Sequence, residues 1–361
     1  MRFYDRIQLD PAAVRRKIAS TANQHEIRLW KLASVTRSAL IVAFAVVFIS
    51  LMSALFGSDN SAMAVSIFCI LLAVRFVGYG YNIKDSLINM GVIFLILLVV
   101  PVAAYSAGIM DKLILYILSL LVMMVMACQQ PQMGNGGLYT FAFVFLCENP
   151  VYGQAFVNRA WMTLAGFVLC GWVMYHNHRN QNQDIRFSAI MKKINIHEKL
   201  FQWQLRLALG VGLLLSVFSY FGAGKFMWIG FACGSLLSDY NVENNIREKF
   251  RDRLVGAVIG SFAFYLLYTI VPPQFYPWFG PIGGFCLGMC TEYKYKTMLN
   301  CFGALMMAVS LYGLKDAVFI RIGNTLLGIL FALVFYYLYD HFLMKGLLKA
   351  GDDPIARSYT D

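Results

Sequence analysis

The sequence contains the stretch Arg159-Ala-Trp-Met-Thr163-Leu-Ala-Gly166, and the same spacing of arginine, threonine and glycine returns in Arg321-Ile-Gly-Asn-Thr325-Leu-Leu-Gly328. Each stretch opens an apolar segment, one near the middle of the chain and one near its end. An arginine inside an apolar membrane segment costs a few kcal/mol on insertion scales. An arginine recurs at the same position of both segments despite this cost. The recurrence predicts a duplicated membrane protein in which each arginine holds or attracts a partner.

The composition is that of a membrane protein. Hydrophobic residues make up 59% of the chain and charged residues 14%, and the mean hydropathy is +0.62. Soluble domains carry about a quarter charged residues. Many apolar runs approach the ~20 residues of a transmembrane helix, and they lack the alternation of outer-membrane strands. We therefore predict an all-α polytopic membrane protein rather than a β-barrel.

About twelve apolar segments are predicted to cross the membrane. They are 38–56, 61–78, 86–106, 112–128, 137–147, 155–175, 207–222, 226–240, 254–271, 278–291, 297–313 and 318–343. The fifth segment is short, and the glycines and proline before it favour irregular backbone, so a broken or re-entrant element is the alternative there. Basic residues in short loops predict that both termini are cytoplasmic. The net charge of +11 then reflects membrane topology rather than affinity for nucleic acid.

Further matches between the two halves predict two copies of a six-helix unit. Arg37-Ser-Ala-Leu resembles Arg206-Leu-Ala-Leu, and Lys84-Asp-Ser-Leu resembles Arg251-Asp-Arg-Leu, in the order that a duplication requires. Because six crossings return the chain to its starting side, the copies should be parallel, with a pseudo-twofold axis along the membrane normal and a central cleft. The predicted domains are a cytoplasmic amphipathic segment at 1–36, transmembrane repeats at 37–175 and 206–343, a cytoplasmic linker at 176–205 and a cytoplasmic tail at 344–361.

Three stretches of the second half follow the pattern of a known family. They are Phe226-Met-Trp-Ile-Gly-Phe, Arg251-Asp-Arg-Leu-Val-Gly-Ala-Val-Ile-Gly and the motif that begins at Arg321. In these stretches the chain resembles the fusaric acid resistance, or aromatic acid exporter, family of bacterial inner-membrane proteins. The resemblance implies proton-driven efflux of aromatic or other organic carboxylates. The chain departs from the family in its short linker and in Ala257, which stands where the family pattern has threonine.

Five basic residues are predicted to bind the substrate anion. A guanidinium stays charged and presents a planar fork of donors that matches a carboxylate. Arg159 and Arg321 lie at predicted extracellular ends, where topology does not favour positive charge; snorkelling to lipid headgroups or a structural ion pair is the alternative. Lys84, Arg251 and Arg253 lie at predicted cytoplasmic ends, where the positive-inside bias alone also explains them.

Two threonines complete the predicted substrate site. Thr163 and Thr325 lie one turn beyond their arginines on the same helix face. Their hydroxyls either bind a substrate oxygen or bond the carbonyl of the preceding turn. The glycines that follow, Gly166 and Gly328, are predicted to permit close helix packing.

Proton coupling requires a carboxylate that changes protonation while partly desolvated. Asp239 and Glu292, each at the predicted cytoplasmic end of a segment, are the leading candidates. Asp85 and Asp252 follow them. For all four, a helix cap or an ion pair with a nearby base is the alternative.

The sequence predicts no metal site, no cofactor and no enzymatic activity. Cys286 and Cys290 lack nearby histidines, and His176 and His178 stand by themselves in the linker. The sequence contains neither a nucleotide-binding loop nor a recognisable nucleophile motif. We predict a secondary exporter of organic carboxylates in the bacterial cytoplasmic membrane, with a passive anion channel and a non-transporting scaffold or lipid-processing protein as alternatives. Membrane lipid and a small organic anion are the expected partners, and a second copy or an unknown envelope or cytoplasmic protein is a further one.

Overall fold

A computed structural model describes residues 3–9, 11–221, 227–240 and 242–344, and all regular structure in these ranges is helical. The α-helices are α1 Phe3–Gln8, α2 Pro11–Ser20, α3 Gln24–Phe56, α4 Ser61–Val74, α5 Ile83–Ser106, α6 Ile109–Ala127, α7 Asn135–Cys147, α8 Gly153–His178, α9 Phe187–Lys192, α10 Lys199–Tyr220, α11 Met227–Leu237, α12 Val242–Ile270, α13 Phe279–Met289, α14 Tyr293–Tyr312 and α15 Leu314–Leu338. A π-helical turn, Tyr339–Met344, follows α15. The predicted tail lies, except for its first residue, outside the described residues.

Each of the predicted apolar segments coincides with one of these helices. Within the described ranges, seven helices are long and apolar enough to cross a membrane: α3, α5, α6, α8, α10, α12 and α15. The apolar helices α4, α7 and α11 have 14, 13 and 11 residues. At 1.5 Å per residue they are shorter than the ~30 Å hydrocarbon core. The chain is therefore an all-helical, multi-pass membrane protein, and the number of twelve crossings stays a prediction.

The helices form two compact units. Unit 1 consists of Met1–Leu51 and Asn245–Leu326, and unit 2 consists of Met52–Asn244 and Leu327–Asp361. These boundaries differ from those of the predicted repeats, because α3 joins unit 1 for most of its length while α4 to α11 form unit 2. The parallel repeat and its symmetry axis therefore also stay a prediction.

In unit 2, the short helix α7 is enclosed by α4, α5, α6, α10 and α11. It begins after Gly134, whose left-handed backbone (φ +83°) follows the 3-10 turn Pro131–Met133. This is the irregular backbone that the glycines and proline predict. Tyr139 and Phe143 are among the largest fully buried side chains of the chain. The predicted fifth segment is thus a short helix inside the unit.

In unit 1, α12 and α14 approach each other backbone to backbone. A Cβ atom on Gly256 would lie 2.6 Å from the carbonyl oxygen of Lys294, and one on Gly260 would collide with the backbone of Met298. Glycines four residues apart remove the side chains that would otherwise separate two membrane helices. This close approach positions Arg253, which lies one turn before Gly256, against the start of α14.

Candidate functional site

Unit 1 places two arginines of the predicted substrate site in one buried neighbourhood. Arg253 of α12 is 8% exposed and Arg321 of α15 is 4% exposed. Arg253 lies close enough to Arg321 to act on it electrostatically, as does Cys301 of α14. Two guanidinium groups near each other repel, and their burial costs desolvation energy. An anion bound beside them would reduce the repulsion.

A stripe of polar atoms on α14 lines the same neighbourhood. The hydroxyl of Tyr293 accepts a hydrogen bond from Nη1 of Arg253 at 3.3 Å. Thr297 and Cys301 follow at intervals of four residues, so the three side chains share one helix face. Ser261 of α12 is fully buried, and its hydroxyl lies 3.9 Å from the sulfur of Cys301. Buried polar groups between two apolar helices are costly unless they have partners. The hydroxyl of Thr297 donates to the carbonyl of Tyr293 at 3.0 Å, and the thiol of Cys301 donates to the carbonyl of Thr297 at 3.4 Å.

The sequence analysis missed this stripe. The regular spacing of Tyr293, Thr297 and Cys301 along α14 was visible in the sequence as a signal of one polar helix face. Tyrosine, threonine and cysteine are individually common in apolar helices, so this spacing does not by itself indicate a buried polar face. Only their position against α12 shows that the face is buried.

The two threonines of the repeated motif have the same local geometry. The hydroxyl of Thr163 donates to the carbonyl of Arg159 at 2.7 Å, and that of Thr325 donates to the carbonyl of Arg321 at 2.8 Å. Each hydroxyl proton is therefore bound within its own helix, which is the alternative that the sequence left open. The predicted role of these threonines in substrate binding stays a prediction.

Arg159 of unit 2 is fully buried and is bound by oxygen atoms of the protein. Its Nε donates to the side-chain oxygen of Asn60 at 2.9 Å, its Nη1 to the carbonyl of Asn149 at 2.8 Å and its Nη2 to the carbonyl of Asp59 at 3.2 Å. Asn60 in turn donates to the carbonyls of Phe56 and Ala155 at 2.9 and 3.0 Å. The guanidinium thus joins the turn before α4, the turn after α7 and helix α8. This geometry favours a structural role for Arg159, and its predicted contact with substrate stays a prediction.

The other predicted basic residues lie at the surface. Lys84 of α5 is exposed, and Arg251 of α12 is 68% exposed and pairs with the adjacent Asp252 at 3.4 Å. Beside Lys84, the carboxylate of Asp85 accepts hydrogen bonds from the side chain of Asn82 at 2.9 Å and from the backbone N–H of Phe187 at 2.8 Å. Asp85 therefore fastens the linker helix α9 to the start of α5.

The two leading proton-coupling candidates have different partners. Asp239 follows α11, and its backbone carbonyl accepts a hydrogen bond from Nη2 of Arg206 at 2.9 Å. Glu292, just before α14, forms an ion pair with Arg15 of α2 at 3.2 Å. Their predicted part in proton coupling stays a prediction.

Comparison with protein families bears on the second half of the chain. Residues 208–335 match the model of the family described as fusaric acid resistance protein-like. This segment is similar to that family. The match confirms the resemblance that its motifs carry, and it includes Arg253, Cys301 and Arg321. No curated protein and no solved structure matches the chain. Together with the apolar helices, the family match indicates a multi-pass membrane transport protein.

One carboxylate outside the fusaric acid resistance protein-like segment has unusual surroundings. Glu148 caps the carboxyl end of α7, where the helix dipole disfavours a negative charge. Burial raises the pKa of Glu148 to about 7. Tyr116 of α6 lies close enough to respond to its charge. The sequence analysis missed this residue, because it reads as an ordinary loop carboxylate after an apolar segment.

Glu148→Gln is expected to remove a pH dependence of stability. Because the folded pKa of Glu148 lies above its usual value of 4.5, the stabilisation from its protonation is complete below about pH 4.5 and is lost as the pH rises through about 7. At pH 8 the glutamine variant should therefore gain on the order of 1–3 kcal/mol relative to wild type. Thermal unfolding in detergent between pH 5 and pH 8 measures this gain. Asp184→Asn, at an exposed carboxylate of the linker, is the control, and equal pH profiles for wild type and Glu148→Gln would refute the expectation.

Proposed function

We propose that the protein is a secondary transporter that exports organic, particularly aromatic, carboxylate anions across the bacterial cytoplasmic membrane, coupled to the proton gradient. The observation that carries the proposal is the pair of buried arginines, Arg253 and Arg321, within the family-matched segment. The proposal includes no catalytic role and no cofactor.

The chemistry of the neighbourhood supports an anionic substrate. Both side chains are guanidinium groups, which are donors only and suit an anionic partner. Each can present paired N–H donors to a carboxylate, and the apolar surroundings strengthen such contacts relative to water. The hydroxyl of Tyr293 adds a further polar group.

The preference for an aromatic body rests on the family match and on the residues beyond the polar stripe. Phe264 of α12 is fully buried, and its ring centroid lies 5.8 Å from that of Phe279 on α13 and 5.9 Å from that of Phe302 on α14. Aromatic pairs at such distances are favourable. An aromatic substrate whose carboxylate binds beside the polar stripe would therefore have the rings of Phe264 and Phe302 further along α12 and α14, next to that of Phe279.

We also propose a membrane topology and roles for the remaining predicted site residues. Twelve crossings in two parallel repeats place both termini in the cytoplasm. Lys84, Arg251 and the two threonines of the motif are proposed as further substrate-binding residues. Asp239 and Glu292 are the proposed proton carriers on the cytoplasmic side. Association with a second copy of the chain or with an envelope or cytoplasmic protein is compatible with this arrangement.

Flux in proteoliposomes tests the proposal. We expect uphill movement of a radiolabelled aromatic carboxylate when a pH gradient is imposed, after subtraction of the flux through protein-free liposomes. Purely downhill flux that ignores the pH gradient would instead support a passive anion channel. Absence of flux over a broad panel of aromatic and aliphatic acids would overturn the transport proposal.

A further inference from the structure

Unit 1 contains a second place suited to an anion, away from the polar stripe. It is an open cavity of about 520 Å³ formed by α2, the first turns of α3 and the turn between α13 and α14. Small-molecule sites in proteins commonly occupy about 300–1,000 Å³. The cavity therefore has the size of a site for one small organic molecule.

The charged groups of the cavity are few and unevenly balanced. Arg15 and Lys31 contribute two positive charges and Glu292 contributes one negative charge. Nη1 of Arg15 donates to an oxygen of Glu292 at 3.2 Å and to the hydroxyl of Thr291 at 2.9 Å. None of the described acidic residues pairs with Lys31. The cavity thus carries one positive charge in excess.

The rest of the cavity wall is mostly apolar. Val14 and Ile18 of α2, Val35 of α3 and Met289 at the end of α13 contribute aliphatic surface, and Tyr295 of α14 contributes an aromatic ring. A ligand that matches this wall has an apolar body and a single negative charge. A diacyl lipid is too large for the volume, although its headgroup could reach the two cations.

We propose that this cavity binds a monovalent organic carboxylate and is a capture site for the transported anion on the predicted cytoplasmic side of the protein. The inference rests on the proposed function for the identity of the ligand. The carboxylate contacts Lys31 and the free edge of the Arg15 guanidinium, and its apolar body lies against Val14, Val35 and Tyr295. Glu292 competes with the ligand for Arg15, because both are carboxylates and Arg15 is their common partner.

This arrangement predicts opposite effects of two substitutions. Lys31→Gln removes the excess positive charge and should weaken binding of the carboxylate. Glu292→Gln removes the competitor and should strengthen it. A substitution that merely disturbed the packing of α2 would weaken binding in both cases, so the opposite signs separate electrostatic recognition from a structural effect.

Protection of Cys290 from alkylation measures occupancy of the cavity in the full-length protein. Cys290 lines the cavity, whereas Cys286, one turn earlier on α13, does not, and both are half-buried. In nanodiscs of phosphatidylcholine, benzoate should slow the reaction of Cys290 with N-ethylmaleimide and leave Cys286 unaffected. The benzoate concentration for half-protection should rise about two- to fivefold in Lys31→Gln and fall by a similar factor in Glu292→Gln, as expected for single, partly exposed charge contacts. Lys17→Gln, on α2 but outside the cavity, is the matched control and should not change it.

Several outcomes would overturn the inference. They are no protection by benzoate, equal protection by the neutral analogue benzamide, and shifts of the same sign in Lys31→Gln and Glu292→Gln. One further outcome would also overturn it. If Cys290 is protected in the absence of benzoate, and only when phosphatidylglycerol is added to the nanodiscs, the cavity binds an anionic lipid instead. Cys290 protection is an equilibrium measurement, so its failure is distinguishable from a failure of flux. A failure of flux would overturn the transport proposal and the capture role of the cavity, whereas a failure of protection would overturn carboxylate binding in the cavity.

Discussion

Arg159→Leu is expected to lower the free energy of unfolding by about 2–4 kcal/mol and to reduce the amount of folded protein in the membrane. The substitution leaves the side-chain oxygen of Asn60 and the carbonyls of Asn149 and Asp59 without their donor. Each buried acceptor that loses its partner costs about 1–3 kcal/mol. Removing a fully buried cation also removes the cost of its desolvation. The net loss of stability is therefore smaller than the summed cost of the three unpaired acceptors.

Thermal unfolding and size-exclusion chromatography in detergent measure the effect of Arg159→Leu. Asn60→Leu removes a central member of the same network and should destabilise the protein in the same direction. Arg186→Leu, at an exposed arginine of the linker, is the matched control and should have little effect. An Arg159→Leu protein as stable as wild type would show that the network does not hold the two turns to α8.

Arg321→Gln is expected to reduce carboxylate flux in proteoliposomes about 10- to 100-fold while membrane insertion stays normal. A hydrogen bond to a charged group contributes about 1.5–3 kcal/mol, and every 1.4 kcal/mol corresponds to a factor of ten. Arg321→Lys keeps the charge but loses the planar fork, so its flux should lie between those of wild type and Arg321→Gln.

Lys315→Gln is the matched control for Arg321→Gln, because Lys315 is an exposed cation on the same helix. Its flux should equal that of wild type. If Arg321→Gln inserts normally and transports at the wild-type rate, Arg321 does not belong to the anion site.

The helices were largely predictable from the sequence, because hydropathy and helix length are local properties. Every predicted apolar segment coincides with a helix. The repeated motif also has the same local geometry in both copies, since Thr163 and Thr325 bond the carbonyls of Arg159 and Arg321, which is one of the two alternatives that the sequence left open. The length of individual crossings was less predictable, because short helices such as α7 are stabilised by the helices that enclose them.

The contacts that give the arginines different roles were not predictable. Arg159 is bound by Asp59 and Asn60, about a hundred positions earlier in the chain, whereas Arg321 lies near Arg253 and Cys301. Two arginines in matching motifs thus have different surroundings, which sequence similarity between helices cannot report. The partnership of Glu292 with Arg15 is another contact between distant parts of the chain.

A double-mutant cycle on Arg253 and Arg321 tests the central claim most directly, because it asks whether the two guanidinium groups act on one anion. The readout is the initial rate of carboxylate flux for wild type, Arg253→Gln, Arg321→Gln and the double variant. Residues that share one partner have non-additive effects. We predict that the double variant is about as slow as the slower single variant. Losses that add in free energy, or wild-type flux in all three variants, would contradict a shared anion site.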